Sequence, residues 1–186
     1  MTQQNPNLRF LTAQEVFQAM PQIEEDLTAR PNGHEAIGFI EALAKSQTPE
    51  EALTFSAYAL EPRHAVWWGH ECLRHADAGL GDADRQMMDL AAHWVGAPDE
   101  DHRYAALDAA MNSSAKTPGV WIAFAAGWSS GSMAPKGAPA VPVAPHFTAR
   151  AVNAGVLSAL ARVERTQRTA MLQTYVKMAL MLAGSD

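Results

Sequence analysis

Apolar residues recur at helical spacing along most of the chain. In residues 34–46, Ile37, Ile40, Leu43 and Ala44 return every three or four positions, which is the period of one face of an α-helix. Comparable patterns begin near Thr12, Thr48, Pro62, Asp82 and Pro98. We therefore predict successive helices of about 11 to 16 residues, joined by short turns as in antiparallel bundles.

Capping signals mark where some of these helices begin. Thr12 with Glu15, and Thr48 with Glu51, match the capping box, in which the two side chains satisfy backbone N–H groups of the first turn. The turn at 79–84 supplies aspartates that could act as an N-cap for the following helix. These local signals agree with the helical periodicity.

The last third of the chain combines a very apolar segment with a proline-rich one. Residues 117–128 are apolar nearly all round, which predicts a central buried helix. Residues 129–147 contain four prolines, which exclude helix and favour an extended polyproline strap lying on the domain. Thr148 is then expected to cap a C-terminal helix with a break near residue 165.

These patterns predict an all-α, single-domain multi-helix bundle over residues 1–186, with the strap at 129–147 before the C-terminal helix. A helical-repeat arrangement is the alternative, although no fixed repeat period is visible in the sequence. A chain of 186 residues suits one domain with a substantial core.

Charge and cysteine content narrow the possible functions. A net charge of -6 and a pI near 5.6 argue against nucleic-acid binding, because the phosphate backbone repels an acidic surface. The single cysteine allows no intrachain disulfide, and no signal peptide or membrane-spanning run is present. We therefore expect a soluble cytoplasmic protein that neither binds nucleic acid nor enters a membrane.

The segment PRHAVWWGHECLRH, residues 62–75, contains three histidines and the only cysteine. His70 and His75 would point about 140° apart on a helix, so they cannot share a metal ion. Cys72 and His75 could supply two ligands, but no second cluster offers the others. A packed helix without metal is expected, and no cofactor is predicted.

The string GWSSG, residues 127–131, formally matches the nucleophile elbow of hydrolases and would make Ser129 the nucleophile. That elbow needs a helix directly after it, whereas a proline-rich segment follows here. No acidic residue lies between Ser129 and His146, the only histidine after it. The segment is more simply a helix end, and no catalytic residue is predicted, with a Ser129 hydrolase as the alternative.

Two acidic runs and one tryptophan are the candidate partner-binding residues. The runs could be solvated helix starts or a patch that attracts a basic protein. Neighbouring tryptophans on a helix differ by about 100°, so Trp67 and Trp68 cannot both face one core. With Trp67 placed inward, the candidates are Glu24, Glu25, Asp26, Asp99, Glu100, Asp101 and Trp68.

The strings EPRHAVWWGHECLRHA and GWSSGSMAPKGAPAVPVAP, the second leading into TARAVNAGV, resemble a family of bacterial proteins. That family has a PR-x-AVWW helix and an SGxSxxP segment before a final helix, and the resemblance covers about residues 50–160. It is associated with type VI secretion neighbourhoods, beside spike-tip proteins and their toxins.

The resemblance implies a non-enzymatic cytoplasmic protein that binds another protein. An immunity protein that neutralises a type VI toxin of the nuclease class is the first expectation. An adaptor or chaperone that loads an effector is the alternative. Nuclease toxins must hold phosphates and are therefore basic, which suits an acidic partner of charge -6.

Overall fold

Ten α-helices make up most of the structure, a computed structural model that describes residues 6–76 and 79–184. The helices are α1 (Ala13–Ala19), α2 (Ile23–Asp26), α3 (Ala36–Ala44), α4 (Glu50–Ala59), α5 (Pro62–Ala76), α6 (Asp82–Gly96), α7 (Glu100–Asn112), α8 (Pro118–Gly127), α9 (His146–Arg162) and α10 (Arg168–Leu182). The described residues form one compact domain without strands, so the predicted all-α fold is confirmed.

Helix α8 lies at the centre of the domain. It contacts α5, α6, α7 and α9, and nine of its ten residues are buried. Gly69 of α5 and Gly155 of α9 let these helices approach closely, because a Cβ at either position would lie 2.8 Å from Cδ1 of Ile122. The predicted central buried helix is thus confirmed, and its neighbours supply small residues where they cross it.

An aromatic cluster joins the N-terminal helices. Phe39 of α3 meets Phe55 of α4 edge to face, with ring centroids 4.8 Å apart, and Phe17 of α1 lies 6.2 and 6.4 Å from these two rings. All three rings are buried. Such edge-to-face pairs add a small stabilisation to the burial of apolar area and fix how the helices pack.

The two predicted capping boxes have different outcomes. The hydroxyl of Thr12 accepts the N–H of Glu15, and the Glu15 carboxylate accepts the N–H of Thr12, so this box is confirmed. The second was predicted at the start of α4. There the Glu51 carboxylate instead accepts hydrogen bonds of 2.7 and 2.6 Å from the N–H and hydroxyl of Thr28. Glu51 therefore ties α4 to the segment after α2.

The proline-rich segment is not helical, as predicted, but it is not an extended strap. It folds back as a hairpin in which the N–H of Met133 donates to the carbonyl of Val141 at 2.9 Å, and Ser132 forms a bridge with Pro142. Gly137, with φ of +87°, lies in its tip. Paired backbone groups within the segment replace the polyproline conformation that its composition favours.

Helix α9 begins at His146, two residues earlier than the predicted cap at Thr148. The hydroxyl of Thr148 instead donates to the carbonyl of Trp128 at 2.8 Å, beyond the end of α8. The predicted break near residue 165 is confirmed, because α9 ends at Arg162 and α10 begins at Arg168.

None of the helices in residues 6–76 and 79–184 has the length and apolar character that crossing a membrane requires.

Candidate functional site

An open groove of about 410 Å³ lies where α2, α8 and α9 meet. We call it the aromatic groove, and it is lined by Asp26, Trp121, Trp128, Phe147, Arg150, Ala151, Asn153 and Ala154. One wall is aromatic, and the other end holds charged side chains. Concave sites of this size that combine apolar walls with a few polar groups are typical binding sites.

The aromatic wall follows from the spacing of residues in α8. Trp121 and Trp128 are seven positions apart, which places them on the same side of a helix. Phe124 lies between them, with its ring centroid 5.8 Å from Trp121 and 4.6 Å from Trp128. Phe147 of α9 extends the wall, 5.6 Å from Trp128. These contacts hold the partly exposed indoles in place before any partner arrives.

Arg150 organises the charged end of the groove. Its Nε donates to Asp26 at 2.8 Å and its Nη2 donates to Glu25 at 2.7 Å. The hydroxyl of Tyr58 donates to the same Asp26 oxygen at 2.5 Å. Donating hydrogen bonds to Asp26 and Glu25 raises the pKa of Arg150. Burial, together with the Asp26 contact, raises the pKa of Tyr58, so its proton stays in place.

The carboxylates of the first acidic run, Glu24 to Asp26, therefore mostly form ion pairs within the protein. Glu25 and Asp26 pair with Arg150, and Glu24 lies 3.7 Å from Arg30 in an exposed contact. Of these predicted partner-binding residues, Asp26 lines the aromatic groove, and Glu25 joins it through Arg150. Two carboxylates facing one guanidinium leave this end of the groove with an excess of negative charge.

The second acidic run has structural partners at the start of α7 and does not line the groove. Asp99 caps the helix, accepting the N–H of His102 at 2.9 Å, and this bond lowers the pKa of its carboxyl group. Glu100 pairs with Arg103 at 2.7 Å, and Asp101 pairs with Lys136 at 2.8 Å. The two runs thus lie on different helices.

The prediction that Trp68 contacts a partner is wrong. Its side chain is fully buried, and its indole N–H donates to the carbonyl of Tyr175 in α10 at 3.0 Å. Trp67 is the exposed member of the pair, with 37% of its surface accessible. The structure therefore reverses the predicted assignment of the two tryptophans, with Trp68 facing the core and Trp67 facing outward.

The candidate metal ligands do not converge. Cys72 is fully buried, and burial raises the pKa of its thiol. His75 faces outward, with Nδ1 2.9 Å from the carbonyl of Glu71. In the described part of the chain, no three histidine, cysteine or acidic side chains form a group that could hold a metal ion.

Ser129, the alternative nucleophile, lies just beyond α8. Its hydroxyl oxygen is buried and has no hydrogen-bond partner among the described residues. A serine nucleophile needs a base within hydrogen-bond reach to take its proton. This arrangement provides no support for hydrolysis at Ser129.

Of the residues that line the aromatic groove, the sequence predicted only Asp26 as a binding residue. Trp121 and Trp128 were attributed to the core, although their seven-residue spacing at one edge of an apolar helix was a usable signal. Arg150 could not be assigned, because its partners Glu25 and Asp26 lie more than 120 positions away in the sequence.

Comparison with known proteins matches the chain to a family. The model of a family of unknown function, DUF6931, matches residues 39–183. That region contains the aromatic wall and Arg150, whereas α2 with its carboxylates lies outside it. No curated protein and no solved structure matches the chain.

Proposed function

The chain belongs to the DUF6931 family, whose function is unknown, and we propose that it is a non-enzymatic binding protein. Its aromatic groove would hold a segment of a partner protein. The observation that carries the proposal is the wall formed by Trp121, Trp128 and Phe147, next to the ion-paired Arg150.

The composition of the groove suits protein recognition. Tryptophan and arginine are enriched among residues that dominate binding energy, because they offer large contact areas and directional hydrogen bonds. Ring contacts with Phe124 and Phe147 fix Trp128 in advance. A wall that is already ordered loses less conformational entropy on binding.

Charge indicates the nature of the partner. The groove ends at Glu25 and Asp26, whose two negative charges face the single positive charge of Arg150. The whole chain carries a net charge of -6. A partner segment with large apolar side chains beside lysine or arginine would match both the wall and this acidic end.

Two cellular roles are consistent with such binding, and we propose both within the type VI secretion setting that the sequence resemblance implies. An adaptor that loads an effector in the cytoplasm is favoured by the exposed apolar groove, which could hold an apolar segment of that effector. An immunity protein against a basic nuclease toxin is favoured by the net charge.

Blocking the groove tests the binding proposal. Ala154 lies partly exposed in the groove on α9, so Ala154→Arg would fill it without removing an aromatic ring. Ala161→Arg, on the exposed side of the same helix, is the matched control. A partner recovered from the native cell with the parent and Ala161→Arg proteins, and lost with Ala154→Arg, supports the proposal. Equal recovery with all three proteins contradicts it.

The identified partner then separates the two roles. Cells that produce the partner as a toxin should survive only with an intact groove if the protein confers immunity. If it is an adaptor, the partner should disappear from the secreted fraction when the Ala154→Arg variant replaces the parent, while survival stays unchanged.

A further inference from the structure

A second groove, of about 430 Å³, lies between α5 and α6. We call it the Trp67 groove, and it is lined by Arg63, His64, Trp67, Ala92, Val95 and Gly96. It shares no residue with the aromatic groove. It therefore offers a separate surface on the same domain.

The Trp67 groove contains the exposed residues of the PR-x-AVWW segment. Ala65, Val66 and Trp68 are buried in the core. Arg63 and Trp67 are four positions apart, so they emerge on the same side of α5. Trp67 stacks flat on His70, with ring centroids 5.1 Å apart and an interplanar angle of 9°. This stacking fixes the exposed indole as one wall of the groove.

The polar groups of the groove are suited to an anion. The Nε of Arg63 donates to the carbonyl of Val95 at 2.7 Å, which holds the guanidinium at the end of α6. Unlike Arg103 and Arg150, Arg63 forms no ion pair with a carboxylate among the described residues. None of the lining residues is acidic. The lining of the groove thus holds a positive charge and no carboxylate of its own, although Glu61 is near enough to act on His64.

His64 adds a second polar group that lacks a partner. Its Nδ1 is shielded from solvent and makes no hydrogen bond among the described residues. Burial and the nearby charge of Arg63 lower the pKa of the imidazole. His64 thus adds a polar ring to the lining of the groove, beside Arg63.

We propose that the Trp67 groove is a second protein-binding surface, for a segment that presents a carboxylate next to a large apolar side chain. The carboxylate would reach the terminal nitrogens of Arg63, where charge-assisted and bidentate contacts are strong. The apolar side chain would lie against Trp67 and the wall formed by Ala92 and Val95.

The two grooves favour opposite charges. The aromatic groove ends in excess carboxylate, and the Trp67 groove contains a guanidinium that forms no ion pair among the described residues. A protein with both surfaces can hold two different partners at once. Bridging of this kind is what an adaptor requires, although binding at the Trp67 groove does not depend on binding at the aromatic groove.

Two short peptides of opposite charge test the proposal. The probes are acetyl-Gly-Leu-Asp-Leu-Asp-Gly-amide and the same peptide with lysine in place of aspartate. Each of the five tryptophans contributes one indole N–H signal to an ¹H–¹⁵N spectrum, and Trp67→Phe assigns the signal of Trp67. We expect the acidic peptide to shift the Trp67 signal with a Kd on the order of 1 mM. The lysine peptide should bind this groove at least several-fold more weakly.

Three variants make the result specific. Ala92 is partly exposed on α6, so Ala92→Glu introduces a carboxylate into the groove and should abolish the shift by the acidic peptide. Arg63→Gln should weaken binding several-fold. Arg74→Gln, an exposed arginine on the same helix that pairs with Glu71, should leave binding unchanged.

Other results overturn the proposal. These are equal binding of both peptides, no shift of the Trp67 signal, or binding that survives Ala92→Glu. Shifts confined to Trp121 and Trp128 would place the acidic peptide in the aromatic groove instead, and would also overturn it. The outcome at Trp67 is separate from the recovery experiment with Ala154→Arg, so either proposal can fail without the other.

Discussion

The carboxylate of Asp84, in the first turn of α6, accepts a hydrogen bond of 2.7 Å from the backbone N–H of Gly119, in the first turn of α8. The two residues are 35 positions apart in the sequence. The other Asp84 oxygen lies 3.7 Å from Arg162 of α9. One buried carboxylate therefore stabilises the start of the central helix and connects three helices.

Asp84→Ala should destabilise the fold by about 1–3 kcal/mol, because it leaves the buried N–H of Gly119 without its acceptor. Asp82→Ala is the matched control, since Asp82 lies in the same helix turn with a side chain 96% exposed. That variant should change stability by no more than about 0.5 kcal/mol. Urea denaturation measures both values, and equal effects of the two substitutions would contradict the capping role.

Gly119 is required by the close approach of α6 to α8. A Cβ at this position would lie 2.5 Å from the carbonyl oxygen of Asp84. A contact this short with a backbone atom cannot be relieved by a small shift. Gly119→Ala should therefore destabilise the protein by about 1–3 kcal/mol. A Cβ at Gly38 of α3 would have only the His34 side chain within 4 Å, at 3.9 Å, so Gly38→Ala should stabilise by about 0.5–1 kcal/mol. Thermal melting of the two variants tests this prediction. Melting temperatures that shift in the same direction for both would refute the steric argument.

The capping role of Asp84 shows what local sequence could not predict. The turn at 79–84 predicted an aspartate N-cap for α6, but the N-cap of that helix is Gly81, which forms no side-chain cap hydrogen bond. Asp84 instead serves α8, whose position depends on how the helices pack. Periodicity predicted most helices because each needs only its own apolar pattern, as in α3, where Ile37, Ile40 and Leu43 recur at helical spacing.

The Trp67–Trp68 pair shows the same limit at a candidate binding residue. Helical geometry required the two indoles to face different environments. Which of them is buried depends on α10, where the carbonyl of Tyr175 accepts the indole N–H of Trp68. The aromatic groove likewise needs α2 brought against α9, and nothing in the local sequence near Asp26 indicates Arg150.

Arg103 anchors the proline-rich hairpin to the bundle. Its side chain is 1% exposed, and Nη1 donates to the carbonyls of Gly127 at 2.7 Å and Ser132 at 3.0 Å. Nε donates to Glu100 at 2.7 Å. The guanidinium thus joins α7 to the end of α8 and to the first arm of the proline-rich hairpin.

Arg103→Met should cost about 2–4 kcal/mol, because the buried carbonyl of Gly127 and the partly buried carbonyl of Ser132 lose their donor while the apolar stem is retained. Amide exchange in residues 131–143 should accelerate, since the hairpin loses its main connection. Lys136→Gln is the control: its contact with Asp101 joins two exposed side chains and should contribute no more than about 1 kcal/mol. Unchanged exchange in the hairpin of Arg103→Met would show that other contacts hold it.

Cys72 should be unreactive in the native protein. Its thiol is fully buried, and burial raises its pKa, so the reactive thiolate is scarce and inaccessible. A thiol reagent at pH 8 should label almost none of the folded protein and one site per chain in denaturant. Because no group of described side chains could hold a metal ion, a chelator should leave the melting temperature unchanged. Rapid labelling of the folded protein would mean that α5 opens readily.

Glu51 makes a pH-dependent contribution to stability. Burial alone would raise the pKa of its carboxyl group, but hydrogen bonds from Thr28 outweigh that effect and the pKa is lowered. A folded-state pKa below the unfolded value means that the ionised carboxylate stabilises the fold above the unfolded pKa, near 4.3. This contribution is lost as the pH falls through the folded-state pKa.

Glu51→Gln should therefore lower the free energy of unfolding by about 1 kcal/mol at pH 7, where Thr28 donates to a charged acceptor in the parent. The difference between parent and variant should shrink as the pH falls from 6 to 3, because protonation removes the charge that the hydrogen bonds favour. Glu50→Gln changes the neighbouring exposed carboxylate and should give nearly the same stability as the parent at every pH. Urea denaturation across this range measures all three proteins. A difference for Glu51→Gln that is constant with pH would mean that Glu51 contributes through packing alone, and that its contact with Thr28 does not depend on charge.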